Sequence, residues 1–328
     1  ETGNFYKANL HCHTTVSDGC KTPAEIKEIY KAHGYSVVAF TDHEVMVDHS
    51  DLSDENFLAI TSHEVETNGP PMFGDFGESP CYHLNFYSPI PNQTDYACPN
   101  PDYTWGNARA IAATQPHYKG DYKRVYSVEG QNDMIAKARA KGYLVCYNHP
   151  NWSKQSYPDY IGLEGITALE VYNPGCAVGG WTLDESDHVL DDLLMAGKKV
   201  YPVATDDNHG VNDMCGGWVR FKAPALTYDA IMTAYEQGDF YASWGPDIDA
   251  LYMEDGVLKM DFPADSRVCR VAVHSASRWA AIRYGEDMTH VEVDMAGFFG
   301  DMDRLRSPAD RGYFRVRLLG EGVLHARE

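Results

Sequence analysis

Apolar residues in this chain come in short runs, and through its first three quarters nearly every run stops at a side chain able to bind a metal or move a proton. A strand over about Tyr6 to His11 opens the series. Strand side chains alternate faces, so His11 and His13 point one way and Cys12 the other. Then Ser36-Val37-Val38-Ala39-Phe40 leads to Thr41-Asp42-His43, Phe57-Leu58-Ala59-Ile60 to Glu64, and Cys81-Tyr82 to His83. Tyr143-Leu144-Val145-Cys146-Tyr147 leads to His149, Ile166-Thr167-Ala168-Leu169 to Glu170, and Val200-Tyr201-Pro202-Val203-Ala204 to Asp206, Asp207 and His209. Continuous apolar runs of this kind suit parallel strands covered on both faces.

Helical spacing fills the intervals. Thr22-Pro23-Ala24-Glu25 is a capping box with Pro at the first helical position, Ile26, Ile29, Tyr30 and His33 follow on one stripe, and Gly34 supplies a left-handed exit. Further helices are predicted over Asn132 to Lys141, closed by Gly142, over Asp184 to Met195, closed by Gly197, and from Thr227 to Gly238. Strands that deliver polar residues at their carboxyl ends, with helices between them, predict an α/β barrel whose site lies at that end.

Two stretches break the rhythm. Residues 89–126 are rich in Pro, Asn, Tyr and Gln, with Trp105 and a short helical piece near Asn107 to Thr114. They read either as a substrate lid carrying Arg109, Lys119, Lys123 or Arg124, or as a solvated surface insertion. After Gly245-Pro246 the pattern changes to alternating runs such as Val268 to Val273, His290 to Val293 and Tyr313 to Leu318, which predict antiparallel strands wet on one face. The expected division is therefore a hydrolase barrel over 4–246 and a small β-rich subdomain over 247–328.

Composition narrows the partners. The formal charge of −21, from 27 basic and 48 acidic side chains, argues against an extended contact surface for nucleic acid or anionic lipid, while leaving room for a local positive site such as a bound metal. No apolar run approaches the roughly 18 to 20 residues that span a bilayer, and no charged-then-apolar leader is recognisable at the start. The eight cysteines show no C-x-x-C spacing and several sit inside apolar runs, so buried thiols in a reducing, cytoplasmic compartment are expected. Oligomeric state is not legible.

Histidine with carboxylate, and no cysteine at matching spacings, suits Zn, Mn or Fe(II) better than a thiolate zinc site. At least five histidines and three carboxylates are candidates, more than one ion needs, so two or three divalent ions close together are expected. Clustered ions supply a bridging hydroxide as nucleophile and a positive clamp for a phosphoryl or acyl oxygen.

Several of these residues stand in recognisable motifs. Leu10-His11-Cys12-His13 with Ser17-Asp18-Gly19, Phe40-Thr41-Asp42-His43, Glu64-Val65, His83, Asn148-His149-Pro150 and Asp207-Asn208-His209 resemble the motifs of the PHP (polymerase and histidinol phosphatase) phosphoesterases, within the wider amidohydrolase-like group. Gly238 to Pro246 is similar to a segment near the end of that domain in stand-alone members, so the resemblance covers about residues 5 to 246. It implies a distorted, TIM-like (β/α)7 barrel in which His11, His13, Glu64 and Asp207 surround one ion, Glu64, His83 and His149 a second, and Asp18, His43 and His209 a third. Where the family usually has Gly two residues before its glutamate this chain has Ser62, which keeps Glu66 as a rival to Glu64; Asp206 is likewise a rival to Asp207. Glu170, His63, His117 and Asp42 match no ligand position and read as supporting or surface residues.

The function expected on this basis is hydrolysis of a small-molecule phosphate mono- or diester by a metal-bridging hydroxide, with Glu64 bridging the ions and His43 or His209, whichever is not fully committed to metal, protonating the leaving group. The β-rich tail is similar to a subdomain found in a subgroup that includes a carbamate hydrolase, so hydrolysis of a carbamate, ester or amide is the rival chemistry. A non-catalytic metal-binding interaction module is the rival of a different kind.

Overall fold

The computed structural model describes residues 3–71, 79–178, 186–276, 278–295 and 313–321. The chain forms two compact units, one of Glu1–Leu190 with Val200–Ala242, the other of Asp191–Lys199 with Ser243–Glu328. In chain order the first elements are β1 (Asn4–Asn9), α1 (Pro23–Ala32), β2 (Val37–Phe40), β3 (Leu58–Asn68), β4 (Cys81–Tyr87), α2 (Gly106–Thr114), α3 (Val128–Ala140) and β5 (Leu144–Tyr147). Next come α4 (Tyr157–Tyr160), β6 (Ala168–Tyr172), α5 (Pro174–Val178), α6 (Asp187–Met195), β7 (Tyr201–Ala204), β8 (Trp218–Ala223), α7 (Tyr228–Gln237) and β9 (Phe240–Ser243).

The α/β barrel is a nine-stranded sheet in the order β7-β6-β5-β4-β3-β2-β1-β8-β9. Strand alternation splits its core in two. Val37, Ala39, Leu58 and Ile60 join an inner cluster with Leu144, Ala168, Val203, Phe221 and Tyr235, while Val38, Phe40, Phe57 and Ala59 join a second with Ile26 and Tyr30 of α1. The first helix forms as its cap requires: Glu25 N–H donates to Thr22 Oγ1, the Glu25 carboxylate accepts from Thr22 N–H, and Gly34 leaves at φ 77°. The expected start of α6 at Asp184 falls outside the described residues.

The ring is joined where β1 and β7 finish. Asp207 N–H donates to His11 O (2.9 Å), and Cys12 pairs in parallel with Asn208. Below this seam β1 pairs instead with the antiparallel β8. Two strands depart from the sequence reading. β3 does not stop at Ile60 but runs on to Asn68, which makes Glu64 a mid-strand residue opposite Asn85. β4 is antiparallel to both β3 and β5, so His83 lies near the start of its strand rather than after its end. An apolar run marks a strand but carries no direction, and the polar residues of β3 face the site rather than ending the strand.

Tyr30 ties the second core cluster to the seam. Its hydroxyl donates to Asp206 Oδ2 (2.6 Å), lies 3.0 Å from Asn208 Oδ1 and accepts from Asn9 Nδ2 (3.0 Å). The Asp206 carboxylate also accepts the N–H groups of Cys215, Gly216 and Gly217 at 2.6 to 2.8 Å. A Cβ at Gly217 would lie 2.1 Å from Thr205 O, so only glycine lets that turn close over the aspartate. Replacing Tyr30 by Phe should cost about 1–3 kcal/mol, because a buried carboxylate loses a donor, and urea denaturation would read the loss directly.

The second unit contains β10 (Ala250–Glu254), β11 (Val257–Asp261), β12 (Val268–Ser275), β13 (Ala280–Met288), β14 (His290–Asp294) and β15 (Phe314–Gly320). They make two three-stranded antiparallel sheets, β10-β11-β14 and β13-β12-β15. Alternation places Leu258, Met260, Val291 and Val293 inside and their neighbours in water. Among the described residues no helix is long and apolar enough to cross a membrane, and none of the eight cysteines forms a disulfide.

Candidate metal centre

Seven segments bring side chains to one place. His11 and His13 extend β1, Asp18 lies in the following loop, His43 follows β2, Glu64 lies in β3, His83 in β4, His149 after β5, and Asp207 and His209 after β7. The loop after β1 is shaped by Asp42, whose Oδ1 accepts from the N–H of Thr14 (2.8 Å) and of Ser17 (3.1 Å) and from Ser17 Oγ (2.8 Å), and whose Oδ2 accepts from Thr14 Oγ1 (2.9 Å). A Cβ at Gly19 would sit 2.4 Å from His13 O, so this tight return of the chain past His13 excludes any side chain there. Glu44, His149 and Asp207, all at strand ends beside the site, take positive φ values of 68°, 26° and 49°, a left-handed backbone uncommon outside glycine.

Three groups of ligand-type atoms result: His11, His13, Glu64 and Asp207; Glu64, His83 and His149; and His13, Asp18, His43 and His209. In the first, the two imidazole Nε2 atoms are 3.1 Å apart. Asp207 Oδ1 lies 3.2 and 3.1 Å from them, and Glu64 oxygens 3.3 and 3.4 Å. Four ligand atoms on a tetrahedron of about 2.1 Å radius are about 3.4 Å apart, so this spacing fits a shared divalent ion. The buried Nδ1 atoms of His13 and His43 also have no hydrogen-bond partner among the described residues, although Asp18 Oδ1 and Glu64 Oε2 lie 3.6 and 3.3 Å from them. Such a donor set suits Zn, Mn or Fe and fits the group that the motifs imply.

Electrostatics say the same thing in another form. Burial alone would lower the imidazole of His13, but hydrogen bonds to Asp207 and Glu64 outweigh it and hold it up to about 10. His11 is raised in the same way by Asp207, Glu64 and Glu170 against its burial. Burial would raise Glu64 and Asp207, yet the surrounding imidazoles hold both well below the carboxylate range. His43 goes the other way, down to about 3, through burial and the neighbouring His13. Without metal the carboxylates thus demand positive charge, and His11 and His13 supply it by holding protons.

Supporting residues fix which nitrogen faces inward. His11 Nδ1 donates to Glu170 Oε2 (2.8 Å), and the Asn173 amide donates to the other oxygen of that carboxylate, which leaves His11 Nε2 to face Asp207. His209 Nδ1 donates to Asp207 O (3.0 Å), turning Nε2 toward Asp18 Oδ2 (3.2 Å). Asn148 Nδ2 donates to Glu64 Oε1 (2.8 Å). Asn148 stood in the sequence only as part of the Asn148-His149-Pro150 motif, and Asn173 had no signal there, since a lone carboxamide looks like any loop polar residue.

The rival ligands are placed elsewhere. Asp206, within the Tyr30 network, is raised to about 6 by burial despite its donors. The Glu66 carboxylate bonds to the Asn68 amide and approaches only His83 Nε2, at 4.0 Å. His63 is buried among Phe86, Tyr96 and Tyr143, and His117 stacks on Tyr96. Of the cations expected on a lid, Arg124 is buried against Glu44, Arg109 donates to Thr104 O, Lys123 lies 4.0 Å from Asp102 on the surface, and Lys119 is exposed. None belongs to the three ligand groups.

No family model and no curated protein matches the chain. Solved structures resemble it distantly. A two-domain protein from Bacteroides vulgatus, described as containing a predicted PHP-like metal-dependent phosphoesterase, is 14% identical at a TM-score of 0.47, over 97% of this chain and 96% of that one. An amidohydrolase from Chromobacterium violaceum, with bound sulfate and no metal, is 14% identical at 0.44, over 71% and 96% of the two chains. A lesion-specific endonuclease from Pyrococcus furiosus is 14% identical at 0.43, over 73% and 58%. The family that the motifs resemble and the family named for the Bacteroides structure are the same.

Proposed function

We propose that the barrel is a metal-dependent hydrolase of small phosphate mono- or diesters. The observation that carries this reading is the convergence of six imidazoles and three carboxylates into three overlapping ligand groups, with His13 and Glu64 each shared by two of them. His11, His13, Glu64 and Asp207 would hold one ion, Glu64, His83 and His149 a second, and Asp18, His43 and His209, with His13, a third. Bound divalent ions supply a nucleophile from water at neutral pH and neutralise charge on phosphoryl oxygens.

The chain's own residues do the rest. Glu64, buried between imidazoles of all three groups, is suited to bridge cations through its two oxygens. Hydrolysis forms one bond from water oxygen to phosphorus and breaks the ester P–O bond, so a proton must end on the departing alcohol. His209, whose side chain is 38% exposed against 6% for His43, lies nearer the mouth of the site and could carry it when its Nε2 is not committed to the third ion. Burial of the ligands other than Asp18 and His209 keeps bulk water from screening their charges.

Metal analysis and turnover test this together. The purified or reconstituted protein should hold two to three equivalents of Zn, Mn or Fe, and at a free metal concentration about a hundredfold above Kd its stability should rise by about 2.7 kcal/mol for each ion bound, a gain that a chelator reverses. The loaded protein should turn over phosphate esters in a panel that also contains carbamates. Turnover of carbamates alone would make the rival hydrolase the better reading, and metal binding with no turnover would favour an interaction module.

A further inference from the structure

Two indoles stand against the imidazoles of the metal centre, and the chemistry above uses neither. The Trp105 ring centroid, on the 89–126 insertion, is 5.0 Å from that of His43 at an interplanar angle of 43°. The Trp152 ring, after β5, is 5.1 Å from His149 and 5.6 Å from His83. Trp105 keeps 39% of its surface in water. A side chain of this size left half outside, beside a cluster of charged groups, gains little from packing and has apolar surface to offer a ligand.

Its position is set by the backbone. Arg109 N–H donates to Trp105 O (3.2 Å), the Arg109 guanidinium holds Thr104 O at 3.1 and 2.9 Å, and Asn107 Nδ2 donates to Thr15 O (3.2 Å) on the loop that carries Asp18. Gly106 takes φ 53°, so α2 begins directly after the indole. The insertion is thereby fastened to the mouth of the site with Trp105 held in place, as a platform for recognition needs to be.

We infer that Trp105, with Trp152 beside the other imidazoles, determines specificity by receiving the organic part of the substrate, and that the favoured esters carry a flat aromatic ring on the alcohol. The inference rests on the phosphate-ester reading above. An aromatic ring gains stacking energy on an indole that a saturated ring of similar size does not, so the preference is a property of the π faces and not of apolar bulk.

Benzyl phosphate and cyclohexylmethyl phosphate separate the two, having similar leaving groups and differing in aromaticity. With the metal-loaded protein, kcat/KM should favour the benzyl ester by about threefold to tenfold, mainly through KM. Calorimetry with the non-hydrolysable benzyl and cyclohexylmethyl phosphonates should show the same ratio in Kd. The ratio should collapse toward one in Trp105→Ala and persist in Trp105→Phe, with metal content equal to wild type in both. Turnover of both esters without an aromatic preference, a preference that survives Trp105→Ala, or loss of metal in that variant would each overturn this inference and leave the hydrolase reading standing. If neither ester is turned over and neither phosphonate binds, both fall.

Discussion

Glu64→Gln is expected to lower turnover of a phosphate ester by roughly three orders of magnitude, about 4 kcal/mol of barrier, with the fold retained. The carboxylate lies 3.0 to 3.5 Å from nitrogens of His11, His13, His43, His83 and His149, and its side chain is 1% exposed. An amide of the same shape leaves those neighbours in place but removes the negative charge that would sit between like-charged ions and one of the two oxygens that could each take one. Glu66→Gln, two residues along the same strand face, should be nearly neutral, since its partner is an amide. Steady-state kinetics with metal analysis and a thermal melt would read both variants. The opposite ranking would make Glu66 the bridge and put Glu64 in a supporting role.

Arg124→Met should be the most destabilising change on the insertion, costing about 3–5 kcal/mol and lowering the melting temperature on the order of 10 °C. The guanidinium grips both carboxylate oxygens of Glu44, with Nη1 2.7 Å from Oε1 and Nη2 in contact with Oε2. It also donates to Glu66 O and lies over the Tyr103 ring at 4.2 Å. Both side chains of the pair are 2% exposed, so removing the cation strands a buried anion directly after His43. The companion double variant, Glu44→Gln with Arg124→Met, should recover much of the loss because no charge is left unpaired. A single variant that melts with wild type would show the pair to be dispensable.

What the sequence made legible follows from what side-chain patterns can encode. α1 could be read from Thr22, Pro23, Glu25 and Gly34 because capping is local chemistry, and β2 from four consecutive apolar residues because a strand buried on both faces has no other composition. The His11/His13 pair was visible through strand alternation, and the remaining candidates through their places after apolar runs. The direction of β4 was not, since a strand reads alike in a parallel or an antiparallel ladder, and neither was the extension of β3 through Glu64, whose polarity suggested an end. Arg124 presented itself as an open cation on a polar insertion. Its burial against Glu44 depends on a contact spanning 80 residues, which no local window contains.

The seam between β1 and β7 has a consequence for the order of events in folding. The groups it brings together, His11 and His13 on one side and Asp207 and His209 on the other, lie far apart along the chain, so their meeting is a costly closure, as is the β1–β8 pairing below it. Local pieces such as α1 with β2 can form early, whereas the ligand group built on His11, His13, Glu64 and Asp207 cannot exist until the end of β7 has come to lie beside β1. Metal capture there then reports a closed seam: nascent or partly unfolded chains would hold scattered imidazoles and carboxylates with weak affinity, and an ion bound across the seam would hold β1 and the end of β7 together.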